Sequence, residues 1–149
     1  MPFAVTSSAA HLGTDTEMAR AFEAAWAAPT PERLVTLLHD DVVLLQPQLP
    51  PIRGKAAARA EFQRLFRWLP GTYGVVDRTV SAPGVAMIEW RLVFPIGRAG
   101  TTIPIVDRLT VRDALIVERA AYFDQTPILL AVGARPWLLP GFARYRFGG

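Results

Sequence analysis

The sequence has no cysteine, a single lysine and only two histidines. Without cysteine there are no disulfides, thiol nucleophiles or thiolate metal sites. His11 and His39 are too few and too far apart in sequence to build a metal cage, so no metal is expected. His39 precedes Asp40 and Asp41 and is read as a solvated residue at a helix end, where a cation suits the helix dipole. No apolar run approaches the roughly eighteen residues of a membrane span. The N-terminus, MPFAVTSSAAHLG, has no basic segment followed by a long apolar one, so a secretory signal is not expected and the predicted location is cytoplasmic.

What is present describes one globular domain. The 149 residues are 51% hydrophobic and 19% charged, enough apolar matter for a real core. The formal net charge is +3, and fifteen of the sixteen basic residues are arginine. They are scattered from Arg20 to Arg146 without a run, whereas nucleic-acid binding needs a clustered basic face. No nucleic-acid partner is expected.

Residues 1–13 are read as a mobile arm. Thr14 and Glu17 stand at capping-box spacing and predict a helix start, with Met18, Ala21, Phe22 and Ala25 on one face. Thr30 and Pro31 predict the cap and first turn of a second helix, with Leu34, Leu37 and Leu38 as its apolar face. A short strand at 42–46 runs into Pro47, Pro50 and Pro51, and Gly54 opens a third helix. Ala57, Phe62, Leu65, Phe66 and Leu69 form that helix's apolar face, interrupted by the carboxylate of Glu61. Four strands follow at 73–81, 85–94, 101–111 and 115–123, joined by turns short enough for antiparallel hairpins. Helices followed by antiparallel strands argue an α+β fold.

Three places put charge against apolar pattern. Asp107 shares a strand face with Ile103, Ile105, Leu109 and Val111, and a carboxylate there is costly to bury unless paired or protonated. It either enters a pocket or faces outward and pairs with an arginine. Asp124 ends a strand on the parity of Ala120 and Tyr122 and precedes Gln125-Thr126-Pro127. It either caps the next helix or points into a pocket. In 88–94, Glu89 and Arg91 share one face, while Ile88, Trp90, Leu92 and Phe94 share the other. Either face is open to being the inner one.

The order of elements and three stretches resemble the nuclear-transport-factor-2-like superfamily, which includes ketosteroid isomerases, limonene-epoxide hydrolases and SnoaL-like polyketide cyclases. "HDDVVLLQPQLPPIRGKAA" looks like its helix end, short strand, proline bend and helix start. "IPIVDRLTV" is similar to the isomerase strand bearing an oxyanion-hole aspartic acid, and "RAAYFD" to the stretch that closes the epoxide-hydrolase fold. The resemblance spans roughly Glu17 to Asp124. It implies a cone-shaped, curved antiparallel sheet wrapped on three N-terminal helices around an apolar cavity. It also implies cofactor-free chemistry there.

Carried over residue by residue, the resemblance makes Asp124 the expected base and Asp107 or Glu89 the acid. Arg91 would bridge them, and Gln46 would hold a water. Gln46 stands where isomerases carry their catalytic aspartate, so the isomerase base is missing. Epoxide hydrolases carry an asparagine there and a tyrosine where this chain has Leu44. Tyr122, Trp26, Phe62, Phe66 and Leu44 are the expected substrate-binding side chains. The expected function is an epoxide-hydrolase-like enzyme acting on a terpenoid, steroid or polyketide-type molecule. A non-catalytic binding or assembly module and a SnoaL-like isomerase or cyclase are the alternatives. The partners expected are a small apolar molecule and a second copy of the chain, with Trp90, Leu92 and Phe94 offered as the dimer face. The apolar tail, 127–149, is expected to pack over the cone's mouth or across a dimer partner. A lipid-surface anchor is its alternative, although a membrane partner is not the first expectation.

Overall fold

Alternation along the strands decides the architecture. In the computed structural model, which describes residues 6–148 with side chains from Asp15 onward, six strands form one sheet in the order β2-β1-β6-β5-β4-β3. They are β1 Leu38–Leu45, β2 Ile52–Arg53, β3 Tyr73–Ala82, β4 Val85–Phe94, β5 Thr101–Arg112 and β6 Leu115–Phe123. β1 runs parallel to β6, and every other pairing is antiparallel. Successive side chains of a strand point to opposite faces. On β4 the buried set is Ala86, Ile88, Trp90, Leu92 and Phe94. On β5 it is Ile103, Ile105, Asp107, Leu109 and Val111.

Helices α1 Thr6–Ala27, α2 Pro31–Val35 and α3 Lys55–Trp68 cover this face. α1 presents Met18, Ala19, Phe22, Ala25 and Trp26, at helical spacing, to β3 and β4. Phe22 meets Trp90 edge-on with ring centroids 5.2 Å apart, and Trp26 lies 4.9 Å from Trp90. Such aromatic pairs contribute about 0.5–1.5 kcal/mol each beyond the area they bury. Gly74 on β3 makes the closeness possible, since a Cβ there would stand 2.6 Å from Cζ3 of Trp90.

Several expectations are corrected. α1 begins at Thr6, so the Thr14–Glu17 pair lies inside the helix, and residues 6–13 belong to α1 rather than to an arm. Nothing in 6–13 resembles proline as a helix breaker. Residues 1–5 and the side chain of His11 lie outside what the structure describes. Asp15 is buried and bonds across the chain instead, accepting from Gly84 N at 2.8 Å and so fixing the β3–β4 turn. α2 is capped by Thr30, which accepts from Arg33 N at 3.1 Å. It ends at Val35, and His39 sits on β1 rather than at a helix end. Its Nδ1 accepts from Asp41 N. Trp90, Leu92 and Phe94 face the core and cannot form an outer dimer face.

The tail folds. α4 Thr126–Gly133, a 3-10 turn Pro136–Leu138 and α5 Leu139–Phe147 run back over the end of the helical layer. Ile128 and Val132 are buried, and Tyr145 stacks on Trp68 of α3 with centroids 5.0 Å apart.

The Gly74–Trp90 contact has a direct consequence. Gly74→Ala forces its methyl group onto the ring of Trp90 and, at 3.0 Å, onto Cβ of Trp26. We expect a loss of about 1–3 kcal/mol, the usual cost of overpacking. Denaturant unfolding should show a lower midpoint at unchanged slope; an unchanged midpoint would contradict this packing.

Candidate functional site

The inner face of the sheet carries one fully buried carboxylate, Asp107. Register explains its partners. Asp107 lies opposite Ile88 on β4 and opposite Ala121 on β6. Two residues along each neighbour, on the same face, stand Trp90 and Arg119, the diagonal positions that long side chains reach across a sheet. Trp90 donates from Nε1 to Oδ2 of Asp107 at 3.1 Å, and Arg119 donates from Nε to the same oxygen at 2.8 Å. Burial pushes the Asp107 carboxyl above its ordinary range, against the opposing pull of Arg119 and Trp90. Its Oδ1 is buried and has no hydrogen-bond partner among the described residues.

Arg119 is nearly as enclosed, with its side chain 12% exposed. Its Cζ lies 5.9, 5.5 and 5.7 Å from the ring centroids of Phe22, Trp26 and Trp90, so three aromatic rings share the guanidinium. Asp107 occupies Nε. Among the described residues no protein acceptor takes the Nη atoms, and Arg119 lines a cavity of about 100 Å³.

That cavity is mostly apolar, with Trp26, Phe62, Leu92, Phe94, Ile103 and Phe123 in its wall. The polar groups in the wall are Gln46, Glu61, Arg119, Gln125, Tyr145 and Arg146. Glu61 is buried on α3; its Oε1 accepts from the Tyr145 hydroxyl at 2.9 Å and its Oε2 from Nη2 of Arg64. Burial first, and the Glu61 charge second, raise Tyr145 beyond the ordinary tyrosine range, so its hydroxyl stays a proton donor to Glu61. Gln125 donates to Pro47 O at 3.0 Å and accepts from Arg146 at 3.3 Å, which ties the start of α4 to the proline bend and to α5. Among the described residues, no group of three histidine, cysteine or carboxylate side chains is placed to hold a metal ion.

An apolar cavity inside a curved sheet, with polar groups converging from sheet and helices, is the arrangement the sequence resemblance implies. A family model described as a SnoaL-like domain matches residues 19–119. The chain belongs to the SnoaL-like domain family. It lies within the nuclear-transport-factor-2-like superfamily.

Solved structures agree in fold. A candidate SnoaL-like polyketide cyclase from Jannaschia sp. CCS1 is 18% identical, with a TM-score of 0.71, 91% of this chain and 100% of that one being covered. A protein with a ketosteroid isomerase-like fold from Catenulispora acidiphila DSM 44928, in complex with trimethylamine, is 18% identical at a TM-score of 0.69. The match covers 78% of this chain and 92% of that one. An LEH-like epoxide hydrolase from M. tuberculosis is 17% identical at 0.66, covering 93% and 98%. No curated protein matches the chain.

Within this SnoaL-like domain the expected site residues divide. Gln46, Trp26 and Phe62 line the cavity. Asp107 faces inward but stands behind Arg119, outside the cavity wall. Leu44 is core, and Phe66 packs beside Trp26 at 6.3 Å without reaching the wall.

The other expectations are corrected. Phe123 shares the inward parity of Arg119 and Ala121, so Tyr122 falls on the opposite side, and it and Asp124, just past the strand end, are both exposed. Oδ1 of Asp124 accepts from Thr126 N at 2.9 Å and from its hydroxyl at 2.7 Å, which starts α4 and lowers the Asp124 pKa. Glu89 and Arg91 lie on the outer face of β4, since the apolar alternate residues take the inner one. Arg91 donates from Nε and Nη2 to both carboxylate oxygens of Asp77, and Glu89 lies 3.8 Å from Arg78.

Arg119, Glu61, Gln125 and Tyr145 were not assigned to the site from sequence. Glu61 gave a signal, as a carboxylate on an apolar helix face. Arg119 gave none by itself, because its orientation follows from the register of β5 and β6.

Two aspartates therefore carry opposite pH signatures. The folded pKa of Asp107 lies above its unfolded value, so its contribution is greatest at low pH and is lost as pH rises through the folded pKa. That of Asp124 is lowered, so its contribution is present above the unfolded pKa and lost as pH falls. Unfolding free energies of Asp107→Asn and Asp124→Asn, each subtracted from the parent across the acidic range, should change in opposite directions. Parallel curves would contradict the two placements.

Proposed function

We propose that the cavity binds a small, largely apolar molecule bearing a carbonyl or carboxylate oxygen, and that it catalyses an isomerase- or cyclase-type proton shift on it. The carrying observation is Arg119: a guanidinium fixed at Nε by Asp107, packed among three aromatic rings, with its Nη atoms left for the apolar cavity. A planar fork of donors suits a carboxylate or an oxygen that gains charge during reaction. Pre-set donors in a water-poor site stabilise such an oxygen by roughly 2.7–4 kcal/mol, or about 100- to 1000-fold in rate.

Glu61 is the carboxylate in the cavity wall and takes the base role in this reading. It removes a proton from the carbon next to the carbonyl, and the enolate oxygen rests on Arg119. The proton returns to a different carbon in an isomerisation. In a cyclisation the enolate carbon attacks a second carbonyl of the same molecule, and that oxygen takes the proton. Tyr145 and Arg64 hold Glu61, Asp107 and Trp90 hold Arg119, and the Gln46 amide is available to orient the substrate. The hydrolytic assignment of Asp124 as base has no support from its position against Thr126.

Substrate size follows from volume. An apolar cavity of about 150 Å³ accepts benzene, and the cavity here, partly open to solvent, is about 100 Å³. It suits a small ring or short chain, whereas a steroid or terpenoid exceeds it.

Small enolisable ketones and keto acids incubated in deuterated water test the reading by NMR. The parent should exchange the proton next to the carbonyl of at least one. Glu61→Gln should lower that exchange about a hundredfold or more, and Arg119→Lys about 100-fold through loss of the fork. Binding of carboxylates that depends on Arg119, with no exchange, would leave a binding protein instead. No binding and no exchange would overturn the proposal.

A further inference from the structure

The outer side of the C-terminal cover is unlike the rest of the surface. The chain has sixteen basic and thirteen acidic residues, and after Asp124 there are three arginines and no acid. The first 124 residues are therefore balanced, and the whole positive surplus lies on Arg135, Arg144 and Arg146. Among the described residues no carboxylate pairs with any of them: Arg135 donates to Ala131 O and Arg146 to the Gln125 amide.

Apolar exposure concentrates in the same place. Among the described residues, ten large hydrophobic side chains are exposed, and five belong to this segment: Leu129, Leu130, Trp137, Leu139 and Phe147. Trp137 is 73% exposed and Phe147 81%. The inward side chains of these elements are already satisfied, with Ile128 and Val132 buried and Phe142 and Tyr145 on Trp68. The outward ones therefore have no partner within the described fold. Arg144 is exposed, Arg135 is half-buried, and Arg146 lines the cavity wall. Apolar side chains beside Arg144 and Arg135, with an exposed tryptophan among them, match the chemistry of an anionic lipid surface, where the rings enter the boundary and the cations meet the headgroups. No helix is long and apolar enough to span a bilayer, so contact of this kind would be peripheral.

We propose that α4, the 3-10 turn and α5 form a docking surface for an anionic membrane. This does not depend on the reaction assigned to the cavity. It does place the cover, whose inner side chain Tyr145 bonds Glu61 in the cavity wall, at the lipid boundary.

Co-sedimentation with vesicles tests it, using phosphatidylcholine alone and phosphatidylcholine mixed with phosphatidylglycerol. The purified protein should bind the anionic vesicles and lose binding in high salt, with the Trp137 region's fluorescence moving to the blue. Arg144→Gln should weaken binding about fivefold, the effect of one basic residue at such a surface. Trp137→Asp combined with Leu130→Asp should abolish it, while Val106→Asp, an exposed apolar site on the sheet, should leave it unchanged. Should the double variant fail to fold, the salt dependence and the Arg144→Gln result in folded protein decide the matter. Equal binding to neutral and anionic vesicles, or none to either, overturns the proposal. So does a dimer that forms through Trp137 without vesicle binding.

Discussion

The pairing of Asp107 with Arg119 is the constraint around which the inner face of the sheet is organised. Both groups are ionisable and both are taken from water, which costs several kcal/mol for each one that carries charge before any attraction is counted. The pair is held on one side of the carboxylate only, since Oδ1 of Asp107 has no partner among the described residues. Asp107 receives Trp90 and Arg119 on one oxygen, and Arg119 is held between aromatic rings that tolerate a flat cation. A hydrophobic pair of similar volume would often be as stable. The property that a hydrophobic pair could not supply is a fixed pair of Nη donors facing an apolar cavity. That property is the one on which the proposed chemistry rests.

The second polar cluster complements the first from the other side of the cavity wall. Glu61 comes from α3 and Tyr145 from α5, 84 residues apart, and their bond joins the cavity wall to the C-terminal cover. The cover therefore has two jobs in one segment. Its inner side chains, Arg146 among them, complete the cavity, and its outer ones carry Arg144 and, among the described residues, half of the large apolar exposure. The same contacts, Tyr145 with Glu61 and with Trp68, hold α5 against the cavity.

Much of this fold was legible because its strands alternate cleanly. β3 to β6 follow from period-two patterning and from turn residues such as Pro83-Gly84, and Asp107 could be placed on the face of Ile105 and Leu109 before any register was known. β4 was legible in pattern but not in direction: the apolar face of Trp90 is inward for the ordinary reason of burial, which sends Glu89 and Arg91 to solvent. β6 was not legible in the same way. In "ERAAYF" both parities carry apolar residues, and Ala120 and Ala121 are both buried, so only pairing with β5 identifies Arg119 as inward. Asp124 lies just past the strand end, where alternation no longer applies and a local bond to Thr126 wins. The Glu61–Tyr145 contact depends on where the tail packs, and that is a tertiary fact with no local signature.

The most direct test of the central claim is a double-mutant cycle on the pair, with Asp107→Asn, Arg119→Gln and the double variant unfolded in denaturant under one condition. Residues in one buried hydrogen-bonded network couple by about 0.5–3 kcal/mol. The account predicts a coupling at the upper end of that range, near 2–3 kcal/mol, with the double variant more stable than the two single losses would imply. Losses that simply add, to within about 0.5 kcal/mol, would show that Asp107 does not hold Arg119.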